Sequence, residues 1–61
     1  MYEYCFVSCP VEFRRGEPDP EPHRRIIEDH ARRGWRLVQI FVPIPAAMPN
    51  RYELIFERPR R

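Results

Sequence analysis

Lysine is absent from this 61-residue chain, glycine and cysteine occur twice each, and no apolar run approaches the length of a membrane span. A bilayer-crossing helix needs about 20 consecutive apolar residues, and a signal peptide needs a basic start followed by a shorter apolar block. Neither pattern occurs, so a soluble, cytoplasmic protein with no membrane partner is expected. With only Gly16 and Gly34, no glycine-rich phosphate loop can be written. Cys5 and Cys9 lie in one extended segment, where four residues at ~3.3 Å separate their α-carbons by roughly 13 Å, twice the reach of a disulfide. Together with His23 and His30 they match a zinc finger by count alone. Cys5-x3-Cys9 on a strand and His23-x6-His30 on a helix do not converge as ligands. No metal and no cofactor is expected.

What is present suits one small folded domain. Hydrophobic residues make up 43% of the chain and aromatics 13%, too many for a disordered tail. A chain of about 60 residues buries only about 60% of its unfolded surface, so domains of this size commonly add disulfides, a metal or a second subunit. The first two being disfavoured, self-association is expected.

The elements follow from local chemistry. Residues 2–11 (YEYCFVSCPV) are aromatic and β-branched, and predict a strand that fades or lies at an edge at Pro10. Residues 12–19 collect Gly16, prolines and charges, and predict a loop. Asp19 then reads as an N-cap, with Pro20 at the first helical position and Glu21 at the positive end of the dipole. A helix is predicted over residues 20–33, with His23, Ile26, Ile27, His30 and Ala31 on one face. Glu21 with Arg25, Glu28 with Arg32 and Asp29 with Arg33 are spaced for surface ion pairs, and Gly34 is placed to stop the helix in the left-handed conformation. Residues 35–42 and 51–57 predict two further strands joined by a loop over residues 43–50.

Tyr2-Glu3-Tyr4, Gly34-Trp35-Arg36-Leu37-Val38 and Tyr52-Glu53-Leu54-Ile55-Phe56-Glu57-Arg58 together resemble a small bacterial domain-of-unknown-function family, over nearly the whole chain. The resemblance implies a β-α-β-β domain and no catalytic residues. Both it and the elements above predict an α+β fold, one helix packed on a three-stranded, mainly antiparallel sheet with strand order open.

Pairing Arg36 with Glu57 sets opposite charges across the second hairpin and aligns Leu37 with Phe56, Val38 with Ile55 and Phe41 with Tyr52. In that register Trp35, Leu37, Phe41, Tyr52, Leu54 and Phe56, joined by Tyr2, Tyr4 and Phe6, form the face under the helix. Val38, Ile40, Val42 and Ile55, joined by Cys5 and Val7, form the other, rimmed by Glu3, Arg36, Glu53 and Glu57. One helix cannot cover both. The candidate interface between copies is therefore Val38, Ile40, Val42 and Ile55 with Arg36, Glu53 and Glu57.

Other functions have weaker support. All eleven basic residues are arginine, which suits phosphate. Nine acids are interleaved and the net charge is only +2, so nucleic-acid binding is not expected and the arginine bias reads as genomic base composition. No enzyme is expected. His30 with Glu28 or Asp29 is the only local imidazole-carboxylate set, and those acids point off the apolar stripe. A thiolate-imidazole pair of Cys5 or Cys9 with His23 would need strand and helix to bring them together. Tyr2, Tyr4 and Trp35 lining a pocket for a flat ligand between subunits is the alternative binding function.

Overall fold

In a computed structural model, which describes residues 1–42 and 51–60, the elements run β1 (Tyr2–Pro10), β2 (Phe13–Arg14), β3 (Glu17–Pro18), α1 (Glu21–Arg32), β4 (Arg36–Phe41) and β5 (Arg51–Pro59). The fold is α+β: one helix packs against a three-stranded sheet of order β1-β5-β4 in which every neighbouring pair is antiparallel, and β2 and β3 form a small separate ribbon. β1 and β4 run in the same direction, but β5 lies between them, so no parallel ladder forms. The loop expected over residues 43–50 lies outside the described residues.

The segment expected to be a plain loop contains the β2-β3 ribbon. Its turn places Arg15 at φ 55° and Gly16 at φ 82°, the two consecutive positive values of a type I′ turn. The Asp19 amide donates to the Glu12 carbonyl at 2.7 Å and closes the base of this excursion.

The helix starts one residue later than the capping pattern suggests. Asp19 Oδ1 accepts the Glu21 amide at 3.1 Å, and the Pro20 carbonyl accepts the first helical bond, from Arg24 at 3.2 Å. Pro20 and Pro22 lack N–H groups that the first turn would leave unpaired in any case. At the other end the Trp35 amide donates to the His30 carbonyl at 2.9 Å and the Gly34 amide to the Ala31 carbonyl at 3.1 Å. This bond pair, with Gly34 at φ 87°, is the Schellman arrangement. On the solvent face Asp29 pairs with Arg33 as expected, whereas Glu21 pairs with Arg24 at 3.7 Å rather than with Arg25. No Glu28-Arg32 ion pair is present among the described residues.

The core lies between α1 and the sheet. Among the described residues Cys9, Leu54 and Phe56 are its fully buried side chains, with Cys5, Val7, Ile26, Ile27, Trp35, Leu37 and Tyr52 packed around them. His30 stacks on Phe56 with ring centroids 4.4 Å apart, and His23 meets Tyr52 edge-on at 6.2 Å. Ala31, expected on the apolar face, is exposed. Arg58 ties the edge of this core together. Its guanidinium lies 4.2 Å over the Trp35 ring, Nε donates to Glu3 Oε1 at 2.8 Å, and Nη1 donates to the Arg33 carbonyl at 3.3 Å.

Candidate interaction face

Alternation along β1 and β5 decides what each sheet face carries. On the helix side, Glu3 lies opposite Arg58, Cys5 opposite Phe56, Val7 opposite Leu54 and Cys9 opposite Tyr52. On the open side, Tyr2 lies opposite Pro59, Tyr4 opposite Glu57, Phe6 opposite Ile55 and Ser8 opposite Glu53. The assignment expected for β1 is therefore inverted. Tyr2, Tyr4 and Phe6 stand on the uncovered face, while Cys5, Val7 and Glu3 belong to the helix side. Size supplies the reason: a helix approaches a sheet closely over cysteine and valine, and tyrosine or phenylalanine at those positions would hold it away.

The second correction is in β4. Arg36 pairs with Glu57 and Leu37 with Phe56 as expected, but a β-bulge at Val38 then shifts the register, so that Gln39 lies opposite Ile55, Ile40 opposite Leu54 and Phe41 opposite Glu53. Ile40 thus moves to the helix side with Leu54, and Phe41 moves to the open side. Of the seven candidate interface residues, Arg36, Glu53, Ile55 and Glu57 remain together on the open face. Val38 occupies the bulge, and Val42 is exposed just beyond the end of β4.

The open face consequently presents rings along one strand. Phe6 is 64% exposed, Tyr4 54% and Tyr2 52%, with Phe41 exposed at the far edge. Between them Glu57 is buried and accepts a hydrogen bond from Arg36. That bond, reinforced by the attraction of the carboxylate, pushes the Arg36 pKa up. A shallow cleft beside it is lined by Tyr2, Gly34, Arg36, Glu57, Arg58 and Pro59.

The remaining sequence candidates are separated by the fold. Trp35 packs on the helix-side core under Arg58, so Tyr2, Tyr4 and Trp35 do not share one pocket wall. His30 Nδ1 donates to the Ile26 carbonyl at 2.8 Å, and Asp29 is engaged by Arg33. Cys9 is buried, its thiol directed to the Pro10 carbonyl at 3.6 Å. Burial, and to a lesser degree the charge of Glu12, pushes the pKa of that thiol up, the opposite of the shift that activates a nucleophile. Among the described residues no group of three or more His, Cys, Asp or Glu side chains is placed to hold a metal ion. No helix there is long and apolar enough to cross a membrane.

The fold and this face define a small α+β domain with one covered and one open sheet surface. Residues 2–59 match the family described as Domain of unknown function (DUF4177), and the chain belongs to that family. No curated protein and no solved structure gives a significant match.

Proposed function

We propose that the protein is a non-enzymatic interaction module that associates with a second copy of itself through the aromatic surface of β1. The observation that carries this reading is the row Tyr2, Tyr4 and Phe6, three large rings more than half exposed on a chain whose fully buried apolar core, among the described residues, is Cys9, Leu54 and Phe56. Rings clustered in water on so small a domain forfeit stabilisation that a partner surface recovers, and aromatic residues are enriched at the cores of interfaces. The raised Cys9 pKa and the engagement of His30 and Asp29 within the helix support the non-enzymatic part. A cytoplasmic setting fits the two free thiols.

The test is light scattering of wild type and Phe6→Lys over a hundredfold concentration range, with far-UV circular dichroism to confirm that the variant is folded. The reading predicts a wild-type dimer and a folded Phe6→Lys monomer, because a lysine in place of the most exposed ring puts a charge into the apolar contact between the two copies. A wild-type chain monomeric throughout overturns the proposal, whatever the variant does. An exposed ring row also suits stacking against a flat ligand. Native mass spectrometry of protein purified from its source, showing a retained small molecule on a monomer, would favour that alternative. Affinity for nucleic acid falling steeply with salt would favour the arginines instead.

A further inference from the structure

We propose that the second copy docks on the free edge of β1, two β1 strands pairing antiparallel about a twofold axis perpendicular to the sheet to form one continuous six-stranded sheet. This rests on the self-association reading above and names its geometry.

The two edges of the sheet differ in the features that govern edge pairing. β4 is six residues long and interrupted by the bulge at Val38, which twists an edge away from partners. β1 is nine residues long, and its pairing with β5 runs unbroken from Tyr2 opposite Pro59 to Pro10 opposite Arg51. Proteins blunt exposed edges with lysine, proline, bulges or charges. β1 has no lysine and no bulge, its proline is its last residue, and its single charge, Glu3, is neutralised by Arg58. In an antiparallel ladder about half of the β1 backbone N–H and C=O groups point away from β5, with no partner strand among the described residues.

The strand is self-complementary under the proposed symmetry. An axis perpendicular to the sheet keeps even-numbered side chains on the open face in both copies, so the two rows of rings meet end to end at Phe6. Centred on Phe6, the register uses all nine residues, sets Phe6 against its symmetry mate and Cys5 against Val7, and places Glu3 opposite Cys9, with no like charges facing each other. Face-to-face stacking would instead take the Arg36-Glu57 pair, Glu53 and Gln39 out of water.

Amide hydrogen exchange, read residue by residue by NMR on the full chain, tests the geometry. It is measured at a concentration where light scattering reports the dimer and again after dilution. A free edge leaves alternate β1 amides unprotected, whereas edge pairing protects them consecutively. The expected result is unbroken protection across residues 3–9 in the dimer, with alternate amides exchanging at least about tenfold faster on dilution. A dimer whose alternate β1 amides exchange freely at every concentration overturns the edge while leaving self-association standing. A monomer at every concentration overturns both.

Discussion

Replacing Gly34 by alanine isolates the helix stop. Gly34 sits at φ 87°, and a Cβ built there meets nothing within 4 Å, so the cost of alanine is local backbone strain with no clash added. An L-residue held in the left-handed region loses about 1–2 kcal/mol. Restricting the unfolded chain returns about 0.4–1 kcal/mol, leaving a net loss near 1 kcal/mol. For a domain of this size that lowers the melting temperature by roughly 4–8 °C. The assay is thermal unfolding followed by far-UV circular dichroism at one fixed protein concentration, since the midpoint of a self-associating chain depends on concentration. A synthetic chain carrying D-alanine at position 34, for which positive φ is relaxed, should melt at or above the wild-type temperature. Equal melting of wild type and the L-alanine chain would refute the reasoning, because the Schellman bonds of Gly34 and Trp35 could then not depend on that conformation.

Arg58→Ala removes the stack on Trp35 and the bond to Glu3, and should cost about 1 kcal/mol in urea unfolding; Arg58→Lys should restore little of it, since an ammonium lacks the planar guanidinium face. Phe56→Ala, which deletes a fully buried ring and the platform under His30, should cost about 3–5 kcal/mol and unfold much of the population at ambient temperature. The Cys9 thiol binds its proton more tightly folded than unfolded, so its contribution to stability is complete below the ordinary thiol value of 9.0 and is lost as pH rises from there through the folded value. Denaturant midpoints of wild type should therefore fall more steeply above pH 9 than those of Cys9→Ala, and parallel curves would contradict the burial argument. Timed alkylation of the native protein should label Cys5 before Cys9, which is 1% exposed.

The sequence exposed the helix, its glycine stop, the three long strands and the Arg36-Glu57 pairing, because each rests on local chemistry: capping residues, a 3.6-residue apolar period, and opposite charges across a hairpin. Strand order rests on contacts distant in sequence, and no local pattern encodes that β5 inserts between β1 and β4. The facing of β1 was harder still. Apolar residues occupy both its odd and even positions, so alternation alone does not choose a side. The signal that does choose is steric and electrostatic: small Cys5, Val7 and Cys9 suit a helix packed above them, and Glu3 shares its side with Arg58. The bulge at Val38 has no glycine to announce it, and it alone separates Ile40 from the face to which strict alternation assigns it. The candidate site was therefore only partly legible. Arg36, Glu53 and Glu57 lie on the open face as expected, whereas Tyr2, Tyr4 and Phe6, expected under the helix, lie there too.

The central claim is that this chain completes itself with a second copy. Sedimentation equilibrium of the wild-type protein, run at near-neutral pH and ordinary salt over a hundredfold concentration range, addresses it without any mutation. The account predicts a mass twice that of the 7.5 kDa chain at the upper end of the range, falling toward the monomer only on dilution. A single species of 7.5 kDa at every concentration would contradict it.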